Sequence, residues 1–328
     1  MTTQPTLLVA DIGGTNTRVA LSDGATIRVA TVRRYANAAH GGLTDILRTF
    51  LDETGQPECA GACIAVAGPV HDNRAQMTNL DWLITPDDVA KVSGAPLVRI
   101  LNDLQAQGHA LGNLAGGKVT LLCPARSARA PSIDPPVQLV IGVGTGFNAA
   151  AVHDVAGLRL VTASESGHAT LPVMTSQDFA LSRDIAARNG FAAIEDVLSG
   201  RGLAALYRWH AAQAGSTATP DAAEIMTAIA DGQDPVALAV AGHFMRMLGR
   251  VAGDLALSYL PFGGIYLIGG VARAFRDHYA TYGFSDAFRD KGRFTDFLGR
   301  FSIHLVEDDY AALTGCAACL AQQLGGAA

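Results

Sequence analysis

The stretch Thr6-Leu-Leu-Val-Ala-Asp-Ile-Gly-Gly-Thr-Asn16 runs from an apolar, strand-like segment into an acidic, glycine-rich turn. Residues 17–22 then alternate, Asp23-Gly24 is a hairpin signal, and residues 25–34 are again rich in β-branched residues. The pattern predicts three antiparallel strands at the start of the protein.

The same pattern begins again near the middle of the chain. Val137-Gln-Leu-Val-Ile141 leads into a second glycine-rich turn, Gly142-Val-Gly-Thr-Gly146, and strand-like residues 147–153 and 158–163 follow it. The repetition predicts two related α/β halves. A crossover loop with three prolines, residues 125–136, places their boundary, so we expect domains over residues 1–130 and 131–328.

Other segments supply the remaining elements of each half. Residues 43–51 carry apolar side chains at helical spacing, and residues 62–67 and 97–101 are typical of buried strands. A further buried strand, Gly264-Ile-Tyr-Leu-Ile268, stops at Gly269-Gly270. Three strands therefore end at glycine pairs or glycine-rich turns.

The glycine turns are candidate phosphate sites. A turn without Cβ atoms lets backbone N–H groups approach phosphate oxygens, and threonine hydroxyls add donors. A single turn of this kind is most often only a turn, but two copies and a third Gly-Gly favour phosphate binding. A dinucleotide site is not indicated, because the second turn lacks the G-x-G-x-x-G spacing and precedes a strand. The predicted nucleotide-binding residues are Gly13, Gly14, Thr15, Gly144, Thr145, Gly146, Gly269 and Gly270.

Composition points to small-molecule partners. The 328 residues are 49% hydrophobic, carry a net charge of -6, and contain no run of Lys or Arg that would bind nucleic acid or an anionic membrane. Residues 1–5 carry no basic segment, and the apolar stretch from Leu7 to Ala10 is too short for a signal peptide or a membrane span, so we expect a cytoplasmic protein. Five cysteines do not suggest a disulfide framework, and Cys316 and Cys319 fit a buried helix face better than a zinc site.

In the order of these motifs the chain resembles the bacterial glucokinase family, within the actin-like superfamily of sugar kinases and heat-shock ATPases. Residues 11–16 resemble the first phosphate motif, Ala65-Val-Ala-Gly-Pro69 the first connecting strand, residues 142–146 the second phosphate motif, and Leu267-Ile-Gly-Gly-Val-Ala272 the adenosine motif. The resemblance implies an α/β fold of two ribonuclease-H-like domains around a nucleotide cleft. It also implies ATP-dependent phosphorylation of glucose at the 6-hydroxyl, and a homodimer.

The resemblance assigns the catalytic base to Asp103 and places Asn102 beside it in the sugar site. A carboxylate that accepts the proton of a sugar hydroxyl makes that hydroxyl a better nucleophile. Without the resemblance, Asp103 would be interpreted as a helix cap. Asp11 is the carboxylate expected near Mg²⁺, although it also fits a cap of its own turn.

The remaining sugar-binding residues implied by the resemblance are polar side chains on loops. Glu165 and His168 otherwise fit a solvated turn, Glu195 an ordinary acid in a first helical turn, and Asn79 a surface turn beside Trp82. Together they would give fixed hydrogen bonds to several hydroxyls, which penalises a sugar that lacks one of them.

Two departures from the family pattern bear, the first on nucleotide affinity or rate and the second on sugar preference. Asn148 stands where the family commonly has a small or glycine residue, and His168-Ala-Thr-Leu-Pro172 lacks an acid two positions after the histidine. No cysteine cluster follows His168, which distinguishes the chain from the related repressor and kinase family with a structural zinc. A kinase of another hexose or an N-acetyl sugar, and a non-catalytic sugar or nucleotide sensor, remain the alternatives.

Overall fold

The structure is a computed structural model that describes residues 4–77, 80–114, 118–126 and 135–325. The strands are β1 (Thr6–Ile12), β2 (Asn16–Asp23), β3 (Thr26–Ile27), β4 (Arg33–Ala36), β5 (Gly61–Val66), β6 (Val70–His71), β7 (Arg74–Gln76), β8 (Leu83–Ile84), β9 (Val98–Asn102), β10 (Val119–Cys123), β11 (Gln138–Val143), β12 (Phe147–Val155), β13 (Leu158–Thr162), β14 (Ile265–Ile268) and β15 (Ile303–Val306).

Helices connect these strands and cover the sheets. They are α1 (Leu43–Glu53), α2 (Pro86–Ser93), α3 (Asp103–Ala110), α4 (Ser176–Asn189), α5 (Gly200–Gln213), α6 (Ala222–Asp231), α7 (Pro235–Tyr259), α8 (Gly270–Ala274), α9 (Phe284–Arg289), α10 (Thr295–Leu298) and α11 (Ala311–Gly325). Short 3-10 helices lie at Val29–Thr31, Asn37–Ala39, Ser166–His168, Ile194–Asp196, Arg276–His278 and Gly292–Phe294.

The first compact unit is built on a sheet with the strand order β3-β2-β1-β5-β9, and β4 also pairs with β2. Strand β2 runs antiparallel to β1, β3 and β4, which confirms the predicted antiparallel start, whereas β5 and β9 continue the sheet in parallel. Alternate residues of β1 point to opposite faces. Leu8 packs in the cluster that contains Phe50 of α1, and Leu7 packs in the cluster that contains Leu313 of α11. Both faces of this sheet are therefore buried.

The second unit repeats this arrangement. Its strands follow the order β10-β15-β14-β11-β12, in which β11 is antiparallel to β12 and parallel to β14, and β14 is parallel to β15. The core packs β11 against α5 and α7, with Ile141, Leu203 and Phe244 fully buried. A hairpin followed by two parallel strands thus occurs in each unit, which confirms the two related α/β halves.

The division of the chain differs from the predicted domains 1–130 and 131–328. The first unit comprises Met1–Gly116, Asp154–Ala163 and Asp308–Ala328, and the second comprises Gly117–His153 and Ser164–Glu307. The reason is packing: the apolar face of α11 covers one face of β1 and β5, and β13 packs on α3 and α11. Of the predicted crossover loop, residues 127–134 lie outside the described residues.

Two sequence expectations concern membranes and cysteines. Among the described helices, none combines the length and the apolar character that a membrane crossing requires. All five cysteines are free, and Cys316 and Cys319 are buried in α11, which confirms their predicted packing role.

Candidate active site

The carboxyl ends of β1, β5 and β9 lie side by side at one edge of the first sheet. Ile12 is in register with Val66, and Val66 is in register with Asn102. The turn at residues 13–15 leaves this edge from β1, and Asp103 leaves it from β9. Ligands of α/β sheets bind at such an edge, because loops from neighbouring parallel strands meet there. The candidate phosphate turn at residues 13–15, called the first phosphate turn below, and the candidate base Asp103 therefore lie at the same edge of the sheet.

The first phosphate turn is closed by a backbone hydrogen bond and braced by a buried side chain. The N–H of Gly13 donates to the carbonyl of Asn16 at 2.9 Å. Asn37 is only 2% exposed, donates from Nδ2 to the carbonyl of Gly13 at 2.8 Å, and accepts the hydroxyl of Thr17 at 2.8 Å. Its N–H also donates to the carbonyl of Thr15 at 2.9 Å. Sequence reasoning missed Asn37, since no local pattern links it to a turn more than twenty residues away.

Asp11 lies on β1 just before this turn, directly across from Arg18 of β2. Its Oδ2 is 3.5 Å from Arg18 Nη1, and its side chain is 19% exposed. Burial raises the pKa of Asp11, and the neighbouring Arg18 guanidinium opposes that shift. A single, partly exposed carboxylate beside a phosphate turn fits Mg²⁺, which proteins commonly hold with one or two carboxylates together with substrate phosphates.

Asn102 and Asp103 form the junction between β9 and α3. Asn102 is the N-cap: its Oδ1 accepts the N–H of Leu104 at 3.0 Å, and Gln105 Oε1 accepts the N–H of Asn102 at 3.2 Å. Its Nδ2 donates to the carbonyl of Gly68 at 3.0 Å, so β5 and β9 are tied together at the edge. Asp103 is the first helical residue and its Oδ1 accepts the N–H of Leu104 at 2.8 Å. The cap role that the sequence allowed for Asp103 thus falls to Asn102.

The second phosphate turn, residues 144–146, occupies the equivalent position in the second unit. Gly144 donates to the carbonyl of Gly146 at 2.9 Å, and Gly200 at the start of α5 donates to the carbonyl of Gly144 at 2.8 Å. Gly269 has φ of +110° at the end of β14, and a Cβ there would overlap the carbonyl of Val143. The structure therefore brings together the two segments that resemble the second phosphate motif and the adenosine motif. The contribution of Gly200 was not predicted, because it depends on how α5 packs.

We call the predicted sugar-binding residues the sugar set. Its members in the second unit are Glu165, His168 and Glu195, and the segments that carry them meet at the start of β12. Glu165 and His168 are exposed, at either end of the 3-10 turn 165–168. Glu195 lies in the 3-10 helix Ile194–Asp196, accepts the N–H of Phe147 at 2.8 Å on Oε2, and pairs with Arg201 at 2.8 Å on Oε1. Each carboxylate oxygen has a further lone pair for a hydroxyl.

The segments that carry these residues are also bonded to each other. The N–H of Ile194 donates to the carbonyl of Ala169 at 3.0 Å, and Thr170 forms a bridge with Ala193. Sugar-set residues that are separated in sequence are thus held as neighbours in the second unit. Asn79, the remaining residue of the predicted sugar set, lies outside the described residues.

Comparison with known proteins identifies the family. The glucokinase family model matches residues 8–323. The chain is 32% identical over 321 residues to a glucokinase of Marinobacter nauticus, covering 98% of each chain. It is 31% identical to a crystal structure of a glucokinase from an Antarctic psychrotroph, with a TM-score of 0.82, covering 96% of this chain and 98% of that one.

A more distant structure extends the same fold. A ROK family glucokinase from Streptomyces griseus, in complex with glucose and AMPPNP, matches with a TM-score of 0.63 and 20% identity over 97% of this chain and 99% of that one. At this identity the likeness shows the fold, and it confirms the expected actin-like α/β class. Family model, curated relative and solved structures agree over nearly the whole chain, and the chain belongs to the glucokinase family.

Proposed function

We propose that the protein transfers the γ-phosphate of ATP to the 6-hydroxyl of glucose, with Asp103 as the general base. The names of its relatives support the reaction, and the bound glucose and AMPPNP of the Streptomyces griseus protein support the two substrates. The residue assignments come from the family resemblance, and the geometry of the described residues supports them.

The observation that carries the proposal is the shared edge of β1, β5 and β9. The turn at residues 13–15 and Asp103 are separated by two strand spacings, about 10 Å. That distance suits a γ-phosphate bound at the turn and a sugar hydroxyl placed between the phosphorus and the carboxylate. A carboxylate at the first position of α3 also lies where the helix dipole favours negative charge.

The chemical step needs one proton transfer and one substitution at phosphorus. Asp103 accepts the proton of the glucose 6-hydroxyl while the oxygen of that hydroxyl forms the new bond to the γ-phosphorus. The bond from that phosphorus to the bridging oxygen of ADP breaks, and ADP leaves with those electrons. Asn102 ties β9 to the loop after β5 through Gly68, and this fixes the position of Asp103.

Phosphate binding falls to the glycine turns. The N–H groups of Gly13 and Gly144 are bonded within their turns, so the other backbone N–H groups of the turns donate to phosphate oxygens. The hydroxyls of Thr15 and Thr145 add further donors. Mg²⁺, when bound, neutralises charge on the phosphates, and Asp11 is the residue that would hold it. Gly269 and Gly270 provide the adenosine side of the site.

Sugar recognition falls to polar groups of fixed geometry. By family resemblance, the proposal assigns the sugar hydroxyls to Asn102, Asp103, Glu165, His168 and Glu195, whose side chains can donate or accept hydrogen bonds. A sugar that lacks one of these hydroxyls leaves a polar group unpaired, and this lowers its turnover. Asn79 completes the set in the proposal.

The test is an ADP-release assay with ATP and Mg²⁺ over a panel of hexoses and N-acetyl sugars. We expect glucose to give the highest turnover. Asp103→Asn keeps the shape of the side chain but cannot accept the proton, so kcat should fall roughly 10²–10⁴-fold while glucose binding is largely retained. Asp184→Asn, which alters an exposed ion pair with Arg188 on α4, is the matched control.

Three outcomes would overturn different parts of the proposal. A wild-type protein that binds glucose or ATP but shows no sugar-dependent ADP release is a sensor. If Asp103→Asn retains full turnover, the base lies elsewhere. A higher kcat/KM for another hexose or an N-acetyl sugar would reassign the substrate.

The proposal also includes a cytoplasmic location and a homodimer. Five free thiols suit the reducing cytoplasm. The homodimer rests on family resemblance, and sedimentation equilibrium of the purified protein tests it, because a mass near that of a single chain would contradict it.

A further inference from the structure

Asn148 connects the start of β12 to the segment that carries Glu165. It stands two residues after Gly146 and is half-buried. Its Nδ2 donates to the carbonyl of Ser164, and its Oδ1 accepts the N–H of Ser166 at 3.0 Å and the N–H of Ala149 at 2.8 Å. A carbonyl oxygen only accepts and an N–H only donates, so these partners fix the orientation of the amide.

The two serines add hydroxyl contacts to this bridge. The hydroxyl of Ser164 has one hydrogen and lies 2.7 Å from the carbonyl of Ala149 but 3.1 Å from Asn148 Oδ1, so it donates to the carbonyl. The hydroxyl of Ser166 lies 3.1 Å from Asn148 Oδ1 and reinforces the bond from its own N–H. The residues on both sides of Glu165 are therefore tied to Asn148 or to its neighbour.

A close backbone contact supports the same junction. Gly167 lies so near β12 that a Cβ would overlap the carbonyl oxygen of Phe147. The N–H of Phe147 donates to Glu195. Glu195 bonds to Phe147, and the segment that carries Glu165 bonds to Asn148. These are the first two residues of β12, and they directly follow the second phosphate turn.

We propose that Asn148 is a positioning residue for glucose binding: it fixes residues 164–168, and with them Glu165 and His168, against the strand that begins at the second phosphate turn. The inference rests on the proposed function, in which those two side chains bind the sugar. It gives a structural role to the departure from the family pattern at this position.

The second phosphate turn is held by hydrogen bonds that do not involve the Asn148 side chain. Loss of that side chain should therefore affect the binding of glucose and not of ATP. Gly144 is held by its bonds with Gly146 and Gly200, and neither involves the Asn148 side chain. Residues 164–166, in contrast, lose the amide that pairs with them from β12. Removing the amide should weaken glucose binding and leave nucleotide binding close to its original value.

The test compares Asn148→Ala with Asn113→Ala, a matched change at an exposed position after α3. For Asn148→Ala we expect glucose KM and glucose Kd to rise about tenfold or more, and the KM for ATP to stay within about twofold. Asn148→Asp keeps the acceptor for the Ser166 N–H but sets a carboxylate oxygen against the Ser164 carbonyl in place of the donating Nδ2, so it should recover only a small part of the affinity. A general loss of folded structure would instead change the KM for glucose and the KM for ATP together, or would change neither of them.

Hydrogen exchange provides a readout that does not depend on catalysis. The Ser166 amide should exchange faster in Asn148→Ala than in the wild type or in Asn113→Ala, and Asn148→Asp should restore part of its protection. Unchanged exchange, or an unchanged glucose Kd in a folded Asn148→Ala protein, would overturn the positioning role. A wild type that neither binds nor phosphorylates glucose would overturn the proposed function instead, while the exchange comparison would still test Asn148.

Discussion

At the scale of single residues, the two phosphate turns differ in what surrounds their glycines. A Cβ on Gly146 would lie 2.5 Å from Glu195 Oε2, whereas the nearest atom to a Cβ on Gly13 is the carbonyl oxygen of Asn16 at 3.4 Å. Since Glu195 Oε2 also accepts the N–H of Phe147, a side chain at position 146 displaces an oxygen that is already in use. The second turn is therefore the less tolerant of the two.

We predict that Gly146→Ala breaks the bond between Glu195 and Phe147 and lowers the free energy of unfolding by about 1–3 kcal/mol. Gly13→Ala, the matched change in the first turn, should cost less. Urea unfolding of both variants measures the difference, and a fluorescent ATP analogue reports the accompanying loss of nucleotide affinity. Equal effects of the two substitutions would show that the Glu195 contact does not matter.

Asn37 provides a second prediction at this scale. Asn37→Ala leaves the carbonyl of Gly13 and the hydroxyl of Thr17 without their partner in a buried place. We expect a loss of about 1–3 kcal/mol in the free energy of unfolding and a higher KM for ATP, because the first phosphate turn loses its brace. Thr17→Val in the Asn37→Ala background should add little further loss, and a fully additive loss would show that the two side chains act independently.

At the scale of elements, helix α11 approaches α3 through a glycine. A Cβ on Gly315 would overlap the backbone carbonyl of Ala106, and it would lie 3.0 Å from the N–H nitrogen of Ala110. Backbone cannot yield as a flexible side chain can, so the two helices must separate to admit any larger residue. Asp103 is the first residue of α3, so this contact bears on the position of the proposed base.

We predict that Gly315→Ala lowers the free energy of unfolding by about 3 kcal/mol. Gly325→Ala at the end of the same helix meets no atom within 4 Å and serves as the control, with little expected change. Chemical denaturation checks both variants. Wild-type stability in Gly315→Ala would mean that the helices are not in close contact.

The sequence predicted strands and turns better than it predicted the distant residues that hydrogen-bond to them. The hairpins around residues 13–15 and 144–146 follow from local patterns, because alternation and a glycine turn lie within a few residues of each other. Asn37 and Asn148 act across the chain, and neither stands in a motif that names its partner. Asp103 became a candidate through family resemblance, since a helix-capping aspartate has the same local pattern. The return of α11 to the first unit also had no local signal.

At the scale of the whole molecule, the second unit contains a buried chain of titratable groups that no substrate contacts in the proposed mechanism. His243 Nε2 lies 2.9 Å from Asp178 Oδ1, and His210 Nε2 lies 3.1 Å from His243 Nδ1. A carboxylate only accepts, so His243 donates from Nε2, and its Nδ1 accepts from His210. Burial lowers the pKa of His210 to about 4, with the charges of His243 and Arg246 adding to the effect. Burial also lowers the pKa of His243, although Asp178 opposes that shift.

These pKa shifts predict that stability falls on mild acidification. In the unfolded chain a histidine gains its proton near pH 6.5, whereas folded His210 stays neutral until about pH 4. The unfolded state therefore binds more protons across this window, and the free energy of unfolding decreases as the pH falls through it. From about pH 7.5 to about pH 5, His210 alone accounts for about 2 kcal/mol, and His243 acts in the same direction.

Urea unfolding at both pH values measures this loss. His210→Gln keeps a hydrogen-bonding side chain that does not titrate and should flatten the pH dependence, while His71→Gln at an exposed site should not. If His210→Gln loses as much stability on acidification as the wild type, other groups cause the loss.

The first unit is built from segments at both ends of the described chain, and this affects when it can finish folding during synthesis on the ribosome. One face of β1 and β5 is covered by residues of α11, which emerge after the whole second unit has been synthesised. At about 5–20 residues per second, roughly 10 to 40 s pass between the end of Met1–Gly116 and the last residues of the chain. During that interval Leu7, Val9 and Cys63 lack their final cover, and the nascent chain presents an apolar sheet face to which chaperones can bind.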